Sequence, residues 1–95
     1  MTDVGDMRLK IDEIDRQIFK LLIARQKVAQ EIWNYKKYNQ ISYEDSNREI
    51  LLINQFNQAT ELLNDSELTI YYQNIIQSIL KETKEYLHKV IVSTI

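Results

Sequence analysis

Apolar residues recur in steps of three and four along the first third of the chain, which is the spacing of one face of a helix. We predict a first helix capped by Asp3 or Asp6, with no break in the pattern before about residues 38–40. Such a helix has about 32 residues and is about 48 Å long at 1.5 Å per residue. Its apolar positions are Ile11, Ile14, Ile18, Leu21, Leu22, Val28, Ala29 and Ile32.

The same spacing predicts two further helices. Residues 46–49 fit a capping box, with Ser first and Glu three positions later, so the second helix begins near Ser46. A polar break at residues 64–66 ends it, and Asp65 or Ser66 caps a third helix from about Glu67 to Leu87. The pattern indicates an all-α chain of three helices. The apolar positions are Leu52, Ile53, Phe56, Ala59 and Leu63 in the second helix, and Leu68, Tyr72, Ile75, Ile76, Ile79, Leu80 and Leu87 in the third.

The first helix is too long for a compact monomer of this size. A globule of 95 residues has a radius of gyration of about 12–13 Å, so the helix overhangs it and its apolar face needs a partner. The simplest partner is a second copy, and we expect a homodimer. The apolar tail, residues 90–95, either packs on the helices or frays.

Composition narrows the class of protein further. One Gly, no Pro and no Cys argue against a turn-rich β fold, a phosphate-binding loop and thiolate metal sites. A net charge of −2 gives no basic footprint for nucleic acid. No apolar run approaches the ~18–20 residues that span a bilayer, and residues 1–6 lack the positive charge of a secretory signal. We expect one cytoplasmic domain, residues 1–95.

Cations stand where the first helix should be apolar. Steps of three and four place Arg8, Arg25 and Lys36 on the apolar row, together with Asp15. Each cation taken singly is best explained as lying at the edge of the row and reaching water. Three on one row favour a polar hole within a helical bundle that receives an anion. Arginine suits a carboxylate because its planar fork donates two parallel hydrogen bonds.

The start of the second helix adds charge to the same picture. Asp45 and Glu49 share a face of that helix, although, taken singly, Asp45 is better explained as a first-turn acid and Glu49 as part of a capping box. The one histidine, His88, has no obvious catalytic partner in the sequence. Any chemistry must therefore rest on positioning and electrostatics, and we expect no cofactor and no metal.

The charged positions resemble the all-helical, AroQ-type chorismate mutases. The resemblance rests on Arg8-x-x-Ile11-x-x-Ile14-Asp15, Leu21-Leu22-x-x-Arg25, Lys36 and Asp45-x-x-Arg48-Glu49. It covers about residues 7–88 and leaves residues 89–95 as a tail. It implies an intertwined homodimeric helical bundle in which the long first helices cross the dimer.

The resemblance also implies an activity, the pericyclic rearrangement of chorismate to prephenate without a covalent intermediate. The enzyme folds the dianionic substrate into a reactive shape and places positive charge near the ether oxygen as the C–O bond breaks. The implied roles are carboxylate binding by Arg25 and by Arg8 of the partner subunit, a hydrogen bond to the ether oxygen from Lys36, binding of the substrate hydroxyl by Glu49 and the Asp45 region, and support of the carboxylate end by Arg48.

The third helix departs from the family pattern. The family usually has a small polar residue, often Ser, followed four positions later by a Gln that donates to the ether oxygen. Ungapped alignment places Ile79 and Thr83 there, both on the inward face, and Thr83 then acts at the ether oxygen through a water. A shift of one gives Ser78 and Glu82 on the flank. Glu82 donates only when protonated, so in that case activity rises as pH falls.

Two other functions fit the same chain. Isochorismate pyruvate-lyases resemble the mutases and share the pattern of Arg and Lys, although Asp45-x-x-Arg48-Glu49 favours the mutase. A helical dimerisation or regulatory module without catalysis explains the apolar faces equally well. The retained charged residues argue against such a module, because a scaffold has no use for buried cations. They are Arg8, Arg25, Lys36, Arg48 and Glu49.

Overall fold

The computed structural model describes residues 3–93, which form three α-helices and a short C-terminal turn of π-helix. The helices are α1 (Val4–Tyr38), α2 (Ser46–Glu61) and α3 (Ser66–Leu87), and the π-helical turn spans His88–Val92. The described residues contain no strand. The all-α prediction with three helices and a long first helix is therefore confirmed.

Short acidic side chains begin all three helices. Asp3 Oδ1 accepts the Asp6 N–H at 2.8 Å, and Asp65 Oδ1 accepts the Leu68 N–H at 3.0 Å. At α2 the predicted cap, Ser46, is wrong. Asp45 has the extended backbone of an N-cap and accepts the Arg48 N–H, so Ser46 is the first helical residue. A capping box led by Ser46 would have used the Glu49 N–H, whereas the Asp45 carboxylate accepts the N–H one residue earlier, that of Arg48.

Among residues 3–93, two residues other than glycine have a left-handed backbone. Gln40, after α1, has φ 57°, and Asn64, after α2, has φ 50°. The one glycine, Gly5, lies in the first turn of α1 and has a negative φ. Left-handed backbone costs an L-residue about 1–2 kcal/mol, so both connections carry some strain.

Contacts divide the chain into two units, with the boundary between Ile32 and Trp33. The first unit is the larger part of α1. Its apolar side chains are largely exposed, from 39% at Leu22 to 70% at Leu21. The predicted apolar row is therefore present on a continuous helix, and among residues 3–93 it does not form a buried core.

The second unit has a small core of its own. Trp33, Leu87 and Ile91 are 7%, 0% and 4% exposed. Ile91 belongs to the π-helical turn. Its backbone carbonyl accepts a hydrogen bond from the Lys37 ammonium at 2.6 Å. The C-terminal residues as far as Ile91 are thus packed on the helices, whereas residues 94 and 95 of the predicted tail lie outside the described residues.

Helices α2 and α3 pack against each other through mixed contacts. Phe56 and Tyr72 meet edge to face, with ring centroids 6.5 Å apart. Gln73 Nε2 donates to Asn57 Oδ1 at 3.0 Å between the two helices. No helix among residues 3–93 combines the length and apolarity needed to cross a membrane.

Candidate active site

Two of the three predicted cations of α1 lie in the first unit, where Arg8 is exposed and Arg25 is half-buried. The third, Lys36, is half-buried in the second unit. All three belong to α1 (Val4–Tyr38).

Lys36 is tied to the connection between α1 and α2. Its ammonium donates to the Tyr43 backbone carbonyl at 3.0 Å. The Tyr43 ring stacks on Trp33 with centroids 5.0 Å apart, and the His88 ring meets Trp33 edge-on at 4.9 Å. His88 Nε2 lies 3.3 Å from Glu44 Oε1. This cluster, Trp33, Tyr43, Glu44 and His88, fixes the connection and with it the Lys36 ammonium.

His88 is thus the residue whose partners the sequence did not reveal. Its neighbours are more than 40 positions away in the chain, at Glu44 and Tyr43. Helical periodicity relates only residues within one helix, so it contains no signal for such a contact.

The acids at the start of α2 have different environments. Asp45 is exposed, and its carboxylate accepts the Arg48 backbone N–H at 3.0 Å. A carboxylate has about four acceptor positions, so this cap leaves Asp45 able to accept another hydrogen bond. Arg48 is exposed as well.

Glu49 points at α3 and does not complete a capping box. Its Oε1 lies 3.0 Å from Lys84 Nζ, and each side chain is about one-third exposed (33% and 35%). The capping box predicted for residues 46–49 is therefore wrong, because Asp45 occupies the cap and the Glu49 carboxylate is engaged by α3.

A cleft of about 390 Å³ lies beside this ion pair, between the residues of α2 and α3. Its walls combine acids, bases and two apolar side chains. All of the lining residues belong to the second unit. They are Glu44, Glu49, Ile53, Gln77, Leu80, Lys81, Lys84, Glu85 and His88.

The four α3 residues predicted for the site have other positions. Ile79 and Thr83 are half-buried, whereas Ser78 and Glu82 are exposed, and Ser78 Oγ donates to the Asn74 carbonyl at 2.8 Å. Within the part of the chain that the structure describes, none of these four residues lines the cleft.

The α3 side of the cleft includes a polar row that the sequence analysis did not single out. Gln77, Lys81 and Lys84 follow each other in steps of four and three. That spacing places them on one face of α3. The signal was present in the sequence, but a polar helical row is usually a solvated face.

Comparison with known proteins places the chain in a family. The family model described as chorismate mutase type II matches residues 7–86. No curated protein and no solved structure matches the chain significantly. The matched range contains the starts of α2 and α3 and all of α1 from Met7 onward, whereas His88 lies outside it. The chain therefore belongs to the chorismate mutase type II family.

Proposed function

We propose that this protein rearranges chorismate to prephenate. The observation that carries the proposal is the family match over residues 7–86, which includes the six charged residues to which the resemblance assigns a role. They are Arg8, Arg25, Lys36, Asp45, Arg48 and Glu49.

The proposed mechanism needs only binding and electrostatics. Chorismate carries two carboxylates, and the rearrangement breaks one C–O bond while it forms one C–C bond within the same molecule. Arg25 and Arg8 of the partner subunit bind the carboxylates and hold the substrate in its folded, reactive conformation. Lys36 donates to the ether oxygen, on which negative charge develops in the transition state.

The contacts of Lys36 support that role. Its ammonium has three N–H donors, and the Tyr43 carbonyl accepts one of them. The aromatic cluster around Tyr43 restrains the acceptor itself. A donor fixed before the substrate arrives does not have to be reorganised during the reaction, which is the condition for effective transition-state stabilisation.

We also propose that the working unit is a homodimer with two composite sites. The support is the exposed apolar face of α1, which includes Ile11, Ile14 and Ile18. Apolar surface of this extent is usually buried against a partner. A second copy brings the same helix and the same row of cations, so Arg8 from one chain completes the site of the other.

A turnover assay tests the proposed reaction. Purified protein is incubated separately with chorismate and isochorismate, and the products are identified by chromatography against standards. We expect prephenate from chorismate and no product from isochorismate. Salicylate and pyruvate from isochorismate would identify a lyase, and no turnover and no binding of either compound would leave a non-catalytic helical module.

The molecular mass in solution tests the dimer independently of the reaction. We expect about twice the 11.4 kDa of one chain by light scattering. A mass of one chain at micromolar concentration would contradict the composite site.

A further inference from the structure

Lys84, in α3, contacts a proposed site residue of α2. Its ammonium lies 3.0 Å from Glu49 Oε1, across the interface of α2 and α3. Both residues line the cleft, together with the apolar side chains of Ile53 and Leu80. The contact therefore joins the two helices at the wall of a space large enough for a small ligand.

The geometry constrains what Glu49 can do. A glutamate side chain has three rotatable bonds, and an unrestrained carboxylate samples many positions. The contact with Lys84 favours those in which Oε1 faces α3. Since an ionised carboxylate only accepts hydrogen bonds, the second oxygen, Oε2, remains available to a hydroxyl donor in the cleft.

We propose that Lys84 is a positioning residue of the active site, which orients Glu49 so that its carboxylate accepts the hydroxyl of the bound substrate. This inference rests on the proposed function, because it takes from there the role of Glu49 toward the substrate hydroxyl. Lys84 is thus a proposed site residue of α3, and it is none of the four that the sequence analysis considered there. Those four are Ile79, Thr83, Ser78 and Glu82.

The expected kinetic signature follows from the place of the hydroxyl in the reaction. The hydroxyl is not a reacting group, so a hydrogen bond to it is equally strong in the bound substrate and in the transition state. Loss of such a bond raises KM and leaves kcat nearly unchanged. A hydrogen bond to a charged group corresponds to a factor of about 10–100 in binding.

The first test compares Lys84→Met with Lys84→Arg. Methionine keeps the length of the side chain without the charge, whereas arginine retains a cation that can hold Glu49. For Lys84→Met we expect KM for chorismate to rise about 10–100-fold, with kcat within threefold, and for Lys84→Arg we expect most of the binding to return. Lys89→Met is the matched control, because Lys89 is exposed, does not line the cleft and carries the same charge.

The second test uses an analogue of chorismate in which hydrogen replaces the ring hydroxyl. Equilibrium binding is measured by calorimetry for both compounds. We expect Lys84→Met to weaken the binding of chorismate and to leave that of the analogue within twofold of wild type. A role confined to stapling α2 to α3, or a direct contact of Lys84 with the substrate, would weaken both compounds alike and would overturn the proposal.

A double-mutant cycle with Glu49→Gln isolates the coupling. If Lys84 acts through Glu49, the double variant binds chorismate no more weakly than Glu49→Gln alone. Independent, multiplying losses would contradict the proposal. So would unchanged binding of chorismate by Lys84→Met.

The binding measurements also separate the two proposals. A wild-type protein without turnover refutes the proposed reaction, while its preference for the hydroxylated compound, lost in Lys84→Met, still supports the role of Lys84. A wild-type protein that binds neither compound overturns both. Turnover with a Lys84→Met variant that behaves like wild type overturns only the role of Lys84.

Discussion

The two parts of helix α1 have the same kind of sequence and opposite environments. Before Trp33, the apolar residues of the helix are exposed, Leu22 and Ile18 among them. From Trp33 onward the helix contributes to a core, with Trp33 packed against Tyr43 and His88. Amphipathic spacing therefore determines which face of a helix is apolar, but not which part of a protein packs against that face. In the second part the chain itself covers the face, and in the first part we propose a second copy.

The largest effect is expected from a charged residue on the exposed apolar row of α1 before Trp33. We expect Leu22→Glu to dissociate the proposed dimer and to abolish turnover. Burial of one leucine side chain contributes about 1.5–3 kcal/mol, and in a symmetric dimer this contribution is lost from both chains. Ala24→Glu is the control, since it adds the same charge on the opposite side of the helix. Light scattering measures the mass, and equal masses for the two variants would refute the dimer interface.

Truncation of Trp33 tests the second part. We expect Trp33→Ala to lower the free energy of unfolding by about 3–5 kcal/mol, as for other buried tryptophans, since its side chain holds Tyr43 and His88. Tyr35→Ala, two residues away and exposed, should change it by less than about 1 kcal/mol. Urea denaturation followed by circular dichroism compares them. Similar losses would show that the aromatic cluster is not a core.

Arg25 tests the chemistry assigned to the first part. We expect Arg25→Ala to remove about 2–5 kcal/mol of substrate or transition-state binding, the scale for breaking a hydrogen-bonded charge pair. Arg16→Ala on the same helix is the control, because Arg16 is exposed and pairs only with Glu13 among the described residues. The measurement is kcat/KM with chorismate. Increased stability in Arg25→Ala, combined with a wild type that neither turns over nor binds chorismate, would favour a scaffold.

The smallest expected effect concerns the turn that follows α1. Gln40 has φ 57°, so Gln40→Gly should raise the free energy of unfolding by about 1 kcal/mol through the removal of left-handed strain. Gln40→Ala keeps that strain and should leave stability nearly unchanged. The midpoints of thermal unfolding of the two variants test this expectation, and equal midpoints would mean that the turn stores no strain.

The helices were predictable because their signals are local. The row from Ile11 to Ile32 and the acids at each start define α1 and α3 within a residue or two of the observed bounds. The cap of α2 was missed by one position, because Asp45 and Ser46 are both good caps and only backbone geometry chooses between them.

Part of the candidate site was also readable from sequence, and part was not. The steps of three and four that relate Arg8, Arg25 and Lys36 could be read from the sequence, and their proposed roles, like that of Glu49, come from the family pattern. The contact of Glu49 with Lys84 could not be read from it, because it depends on how α3 is rotated against α2. Successive residues of a helix point about 100° apart, which explains why Lys84 lines the cleft whereas the adjacent Thr83 does not.

The three helices, the approximate residues at which they start and the continuity of α1 could be predicted from the sequence alone, because propensity, capping and periodicity act within a few residues of the chain. The family could be predicted as well, from the spacing of the charged residues. The tertiary structure decided which side of α3 meets Glu49, which residues enclose Trp33 and where the C-terminal turn packs. Those outcomes depend on contacts between residues far apart in sequence, such as Glu44 with His88. Such contacts are settled by the packing of whole helix faces, which no local pattern records.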